Sequence, residues 1–178
     1  MLDSFETLKN GNAKQIKAYK AIYNLNIMSD LKEFTPVLCG TIPIAIDLAS
    51  SDLDIIMEVH DFEQFELQIT HLYKSKDVFR IKRTVIRSRL VVKANFLYEG
   101  FQFELFGQAQ PIHKQHAYLH MIIEQALIKA NPGLREKVIR LKKQGYKTEP
   151  AFCKILGISG DSYENLIIYG KEVGIDCW

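Results

Sequence analysis

Two aspartates two positions apart, Asp52 and Asp54, are the residues of this sequence best suited to chemistry. Apolar residues alternate with them and follow them, which predicts a strand that is buried on at least one face. Because side chains alternate between the faces of a strand, both carboxylates point the same way, about 7 Å apart. Such a pair suits a hard divalent cation such as Mg²⁺ or Mn²⁺. Solvated surface acids would explain the same residues, but repelling carboxylates in a buried strand are costly without a cation or hydrogen bonds.

A third acid, Glu104, stands in the middle of an aromatic strand predicted over residues 101–106. Its aromatic and leucine neighbours are expected on the inward face, so Glu104 lies on the opposite face. If this strand lies beside the one predicted over residues 53–59, Glu104 joins Asp52 and Asp54. Three clustered carboxylates are what two-metal phosphoryl or nucleotidyl transfer requires.

The rest of the chain predicts the elements that must position these acids. The class is α/β (α+β), with a small mixed sheet flanked by helices and a helical C-terminal region. Residues 1–110 are expected to form the αβ core, and residues 111–178 a helical region packed on it in one compact unit. Residues 41–51 are predicted to be an irregular loop. Strands are predicted at 36–39, 53–59, 78–86, 89–97 and 101–106, and helices at 13–25, 61–73, 114–130, 132–144, 149–156 and 162–172.

The order of these residues resembles the DNA polymerase beta-like nucleotidyltransferase superfamily. Gly40-Thr41 is followed by ten residues, then by Asp52-Leu53-Asp54-Ile55, and later by Glu104. The resemblance implies that Gly40 and Thr41 contact nucleotide phosphates, with Ser51 as a further phosphate ligand. It also implies that the three acids bind two Mg²⁺ ions.

A closer resemblance, over most of the chain, is to an uncharacterised bacterial family, a domain of unknown function placed among nucleotidyltransferase-like folds. It rests on the segments 40–47, 51–55, 104–107 and 147–152. The loop after Gly40-Thr41 differs from the helix that follows this pair in familiar enzymes, and is more similar to the GrpB-like branch. The usual helix N-terminus for phosphate is therefore not expected here.

Residues 74–93 form a basic segment with eight Lys or Arg residues and one acid. Arg80 and Lys82 alternate with apolar residues, so one face of the predicted hairpin is cationic. This face is either a solvated edge protected by charge or a wall that binds triphosphate or a polyanionic acceptor. On the second alternative, Arg80 and Lys82 are candidate phosphate ligands.

Three histidines, His113, His116 and His120, have helical spacing. They could bind Zn²⁺, although no cysteine lies nearby and such spacings arise by chance. Alternatively, His120 and Tyr118 are candidate substrate contacts on the cleft side. A buried histidine with satisfied hydrogen bonds is the commonest outcome for such a residue.

Composition narrows the class of protein. The 178 residues carry a net charge of only +2, which argues against a dedicated nucleic-acid binder. No apolar run is long enough to span a membrane, and no signal peptide is evident. The widely spaced Cys39, Cys153 and Cys177 predict free thiols and favour a cytoplasmic protein.

These observations lead to one main hypothesis: a Mg²⁺- or Mn²⁺-dependent nucleotidyltransferase that moves a nucleoside monophosphate from an NTP to a hydroxyl-bearing acceptor. In that case Asp52, Asp54 and Glu104 are catalytic. The alternative is an inactive nucleotidyltransferase fold that serves as a nucleotide-binding or regulatory module. A toxin–antitoxin component is compatible with the sequence but has no residue of its own in support. The acceptor, the base preference and the oligomeric state are not predicted.

Overall fold

A five-stranded mixed sheet forms the centre of the computed structural model, which describes residues 4–176 and thus leaves out Cys177. The strand order is β1-β2-β5-β4-β3. The central strands β2 and β5 pair in parallel, and the other neighbours pair antiparallel. The strands are β1 (Val37–Cys39), β2 (Leu53–Glu58), β3 (Asp77–Ile86), β4 (Arg89–Tyr98) and β5 (Phe101–Gln108).

Helices precede, interrupt and follow the sheet. The four that follow β5 form the helical C-terminal region. Short 3-10 turns occur at Leu8–Asn10, Lys32–Phe34 and Ile112–Lys114. Over residues 4–176 the α-helices are α1 (Ser4–Thr7), α2 (Ala13–Asn24), α3 (Ile27–Asp30), α4 (Phe62–Tyr73), α5 (His116–Ala130), α6 (Pro132–Lys143), α7 (Thr148–Leu156) and α8 (Ser162–Glu172).

The α/β class predicted from the sequence is confirmed, because a mixed sheet is flanked by helices. The longer helices and the strands lie within a few residues of their predicted positions. Local signals explain this agreement: Asn12 caps α2 with a capping box that includes Gln15, and the Asp61 carboxylate caps α4. The four-residue helices α1 and α3 were not predicted, because one helical turn leaves no periodic pattern in the sequence.

The two faces of the sheet carry separate hydrophobic clusters. One face packs against α2 and α4, with Phe65, Phe96 and Phe103 among its fully buried side chains. The other face packs against the helices that follow β5, where Ile56 joins Phe152 in the second cluster. The C-terminal helices therefore cover the face opposite to the one that α2 and α4 bury.

In the part of the chain between residues 4 and 176, every helix is too short or too polar to cross a bilayer.

Candidate active site

The parallel pairing of β2 and β5 brings the predicted acids together. Asp54 and Glu104 are direct partners in the strand register, while Cys39 of β1 stands opposite Asp54 on its other side. Leu53 and Ile55, the neighbours of Asp54, are fully buried on the opposite face. Asp52 lies immediately before β2 and is partly buried. We call Asp52, Asp54 and Glu104 the acidic floor.

Glu104 has cationic and amide partners from the next strand. The ammonium group of Lys93 lies 2.8 Å from its Oε2 atom, and the Asn95 side chain donates to the same oxygen at 3.3 Å. Both partners come from β4, whose alternate residues share this face of the sheet. Glu104 is therefore held as an ion pair with Lys93 rather than left exposed to its acidic neighbours.

Asp54 is in a different electrostatic position. Burial, reinforced by the charges of Asp52 and Glu104, raises the pKa of Asp54 to about 7. Lys93 acts in the opposite direction but does not outweigh these effects. A carboxyl group in this state gains from any cation that reaches it, since the cation replaces the proton and relieves the repulsion.

Gly40 packs directly on the Asp54 carboxylate. A Cβ atom at position 40 would lie 2.3 Å from Asp54 Oδ2, which is far inside van der Waals contact. The backbone of Gly40 is also left-handed, with φ +81°. Two independent constraints therefore require glycine at the end of β1, where the chain turns over the acidic floor.

The loop over residues 41–51 is built from turns rather than from a helix. The Thr41 hydroxyl donates to Ser51 Oγ at 3.2 Å, and Ser51 Oγ accepts from the backbone of Leu48 at 2.9 Å. The side chain of Gln15 donates to the carbonyls of Ile42 and Pro43 and so anchors the loop to α2. Thr41 and Ser51 thus link the two ends of the loop beside the acidic floor.

The acidic floor opens into a cavity of about 880 Å³ between the sheet and the C-terminal helices. Among the residues predicted to act in the site, Arg80, Lys82 and Tyr118 are not part of its lining. Arg80 and Lys82 share the acidic face but lie on the edge strand β3, and Tyr118 is buried in the second hydrophobic cluster. Seven predicted residues do line the cavity: Gly40, Thr41, Ser51, Asp52, Asp54, Glu104 and His120.

Other basic residues reach the cavity instead. Arg87 and Arg89, at the tip of the β3–β4 hairpin, are part of its lining, as are Lys142 and Lys147. The hairpin extends beyond β5, because Val91 is the first residue of β4 that pairs with β5. The Arg87 guanidinium contacts Glu164 of α8 and lies over the Tyr163 ring, 5.7 Å from its centre.

The C-terminal helices contribute a second group of titratable side chains, His120, Glu124, Lys142 and Glu149, which we call the helical wall. His120 lies between two acceptors: its Nε2 is 2.8 Å from the Tyr163 carbonyl and its Nδ1 is 3.3 Å from Glu149 Oε1. Burial alone would raise the pKa of Glu149, but the hydrogen bond and charge of His120 lower it.

Glu124 and Lys142 complete the helical wall and are both buried. The ammonium group of Lys142 donates to the Ile46 carbonyl at 2.8 Å. Burial, together with the charge of Glu149, raises the pKa of Glu124 well above its ordinary value. The sequence analysis did not select these residues. The signal was the four-residue spacing of His120 and Glu124, which places an acid on the same helix face as a buried histidine.

The acidic floor fits a divalent cation by its chemistry, since it offers carboxylate oxygens whose mutual repulsion a cation relieves. Among residues 4–176, however, no three His, Cys, Asp or Glu side chains are arranged as they stand to hold a metal ion. The Lys93 ammonium instead supplies the positive charge at Glu104. The same finding covers His113, His116 and His120, so the zinc alternative has no support from the structure.

Comparison with solved structures places the fold among nucleotidyltransferases. The chain resembles the Cid1 poly(U) polymerase bound to MgGTP (15% identity, 78% of this chain and 45% of that chain, TM-score 0.54). It also resembles the polymerase core of TRAMP, an RNA surveillance complex (14% identity, 95% and 61%, TM-score 0.56). A third similar structure is that of the GLD-2/RNP-8 complex (13% identity, 79% and 53%, TM-score 0.51).

At these identities the likeness concerns the fold alone, and the chain spans only 45% to 61% of those three chains. Comparison with curated protein sequences gives no match. Residues 20–169 match the family described as a domain of unknown function, DUF4269. Because this match covers most of the chain, the protein belongs to that family, and its fold is nucleotidyltransferase-like.

Proposed function

We propose that the protein is a Mg²⁺- or Mn²⁺-dependent nucleotidyltransferase that moves a nucleoside monophosphate from an NTP to a hydroxyl-bearing acceptor. One observation carries the proposal: Asp54 and Glu104 are register partners at the floor of a cavity of about 880 Å³. A volume of this size accommodates a nucleotide-sized ligand. The fold shared with known nucleotidyltransferases supports the same activity.

In this proposal the acidic and the basic side chains of the cavity have different roles. Asp52, Asp54 and Glu104 would hold the metal, which neutralises phosphate charge and activates the attacking hydroxyl when bound. Because the pKa of Asp54 is raised to about 7, a bound cation would favour its ionised form. Arg87 and Arg89 line the same cavity and carry a charge opposite to that of the acidic floor. They would therefore bind the phosphates. Positioning and charge neutralisation would then supply most of the catalysis.

A second candidate function is a nucleotide-binding or regulatory module without turnover. Two observations favour it: turns replace a helix after Gly40 and Thr41, and Lys93 already pairs with Glu104. Phosphate would then lack a helix N-terminus, and the metal would compete with an ammonium group. This alternative predicts nucleotide binding without release of pyrophosphate.

The binding test compares Asp54→Asn with a matched control, Glu58→Gln. Both acids lie on β2 and face the same side of the sheet, but Glu58 is outside the cavity lining and pairs with His60. We expect Mn²⁺ with a non-hydrolysable NTP to raise the melting temperature of the wild type and of Glu58→Gln, but not of Asp54→Asn. An equal rise in all three proteins would refute the assignment of the acidic floor.

The turnover test distinguishes the two candidate functions. The protein is incubated with Mg²⁺ or Mn²⁺, labelled NTPs and a cell extract, and pyrophosphate and labelled acceptor are measured. We expect both products with the wild type and neither with Asp54→Asn. Stabilisation by nucleotide with no pyrophosphate would favour the binding module instead.

A further inference from the structure

Unpaired polar atoms concentrate in one part of the molecule. Among residues 4–176, four buried side-chain oxygen or nitrogen atoms have no hydrogen-bond partner. Three of them, Gln115 Oε1, His116 Nδ1 and Glu124 Oε1, belong to residues that line the cavity, and only the Tyr73 hydroxyl lies elsewhere. A buried polar atom without a partner costs about 1–3 kcal/mol, so this distribution points to a ligand that satisfies these atoms.

Glu124 is the most informative of the three. Its side chain is 3% exposed, yet it belongs to the cavity lining. The ammonium group of Lys142 donates to the Ile46 carbonyl and forms no hydrogen bond with Glu124 Oε1. The neighbouring carboxylate of Glu149 is held by His120. Glu124 Oε1 is therefore a buried oxygen of a cavity-lining residue, and it has no partner within the described chain.

The unpaired oxygen of Glu124 defines the complementary group. Burial and the charge of Glu149 raise the pKa of Glu124, so a further negative charge beside it is disfavoured. Its natural complement is a flat heterocycle or amide that presents an N–H donor, whereas a phosphate or a second carboxylate is anionic and offers only acceptors.

We propose that Glu124 binds the N–H-bearing edge of the nucleobase and makes the helical wall the base subsite of the cavity. This inference rests on the proposed function, since it assigns the phosphates of the same NTP to the acidic floor. The two ends of the cavity then match the two ends of a nucleotide: a cluster of charged groups at the sheet, and a buried hydrogen-bonding group among the helices. Glu124 is accordingly a specificity-determining residue.

The test measures binding of Mn²⁺ with two kinds of ligand, inorganic tripolyphosphate and the four NTPs. The variant is Glu124→Met, which keeps the length of the side chain, removes its hydrogen bonds and suits a buried position. We expect tripolyphosphate affinity to stay unchanged and affinity for the preferred NTP to fall about 10-fold. Glu124→Gln, which retains a donor and an acceptor, is expected to recover most of the lost affinity.

A double-mutant cycle sharpens the result. The preferred NTP is compared with its analogue in which the base N–H is replaced by N–CH₃. The wild type should lose about 10-fold in affinity for the analogue and Glu124→Met should lose little, because the interaction is already absent. The base subsite is refuted if Glu124→Met lowers the affinities for NTPs and for tripolyphosphate by the same factor. It is also refuted if Glu124→Met changes neither affinity. If the wild type binds no tripolyphosphate or NTP at all, the proposed function itself fails.

Discussion

The acidic floor and the helical wall line the same cavity, and buried acids have similar surroundings in both. Each has one carboxylate with a nitrogen partner: Glu104 is held by the Lys93 ammonium group on the floor, and Glu149 by the His120 imidazole on the wall. Each also has one carboxyl group whose pKa is raised, Asp54 and Glu124. The causes differ in one respect. Burial is the largest cause at both residues, but three acids, Asp52, Glu104 and Glu149, add to it at Asp54, whereas only Glu149 adds to it at Glu124.

This difference explains why one cavity can hold two kinds of ligand group. Repulsion among the acids of the floor is relieved by a cation, so the floor attracts metal. Glu124, whose buried Oε1 atom has no partner among the described residues, is instead satisfied by a hydrogen-bond donor. Four predictions test this difference between the floor and the wall, beginning with the largest expected effect.

The contact that fixes the floor is between Gly40 and Asp54, and Gly40→Ala should break it. Alanine is strained at φ +81°, and its Cβ would lie 2.3 Å from the carboxylate oxygen. We expect a loss of about 3 kcal/mol in the free energy of unfolding, combining left-handed strain with overpacking. Urea denaturation measures the loss, and Mn²⁺-dependent stabilisation should disappear with it.

Gly100→Ala is the matched control for that experiment. Gly100 has φ +78°, but nothing lies within 4 Å of a Cβ placed there. It should therefore report the backbone strain alone, about 1 kcal/mol. Equal losses in the two variants would mean that Gly40 does not constrain Asp54.

The floor was predictable from the sequence and the wall was not, for a physical reason. Alternation along a strand is a local rule, so Asp52 and Asp54 could be assigned to one face, and an aromatic strand marked Glu104. The wall is assembled from α5, α6 and α7, whose relative positions depend on packing. In the β3–β4 hairpin, Arg80 and Lys82 lie on the same face as the acids, but it is Arg87 and Arg89 at the tip that line the cavity.

Within the wall, the two glutamates should respond to the same substitution with opposite signs. Replacing the buried carboxyl group in Glu124→Gln should stabilise the protein by about 1 kcal/mol at pH 8, because burial disfavours the ionised form that the unfolded chain carries there. Removing the partner of His120 in Glu149→Gln should destabilise it by about 2 kcal/mol, since it breaks a largely buried pair. Each variant serves as the control for the other in denaturant unfolding without ligand.

The pH dependence follows from the directions of the pKa shifts. The raised pKa of Glu124 gives stability that is present below about pH 4.5 and is lost as the pH rises. The gain from Glu124→Gln should therefore vanish near pH 4. The lowered pKa of Glu149 gives stability that is present above about pH 4.5 and is lost in acid, so the deficit of Glu149→Gln should shrink there. Parallel pH profiles for the two variants would contradict this contrast.

The basic residues offer the next comparison, between the hairpin tip and the edge strand. Arg87→Ala and Arg89→Ala remove guanidinium groups from the cavity lining, while Arg80→Ala and Lys82→Ala change only the edge strand. We expect each tip variant to weaken tripolyphosphate binding about 5-fold in the presence of Mn²⁺, or about 1 kcal/mol. Calorimetric titration should detect little change in the edge variants. If the edge variants weaken tripolyphosphate binding more than the tip variants do, Arg80 and Lys82 are the phosphate ligands instead.

An effect as small as that at the hairpin tip, but of opposite sign, is expected for Lys93, which pairs with one acid of the floor as His120 pairs with one acid of the wall. Lys93→Met removes a positive charge 2.8 Å from Glu104 that also lowers the pKa of Asp54. The floor should then bind Mn²⁺ about 5-fold more tightly, because a charge of this kind contributes about 1 kcal/mol at a partly solvated site. Lys82→Met is the control, since Lys82 is the cross-strand partner of Lys93 on the same face, whereas the ion pair with Glu104 is made by Lys93. Paramagnetic titration of Mn²⁺ measures both affinities. Unchanged or weaker binding in Lys93→Met would mean that the ammonium group does not compete with the cation, and the floor would then differ from the wall only in its number of acids.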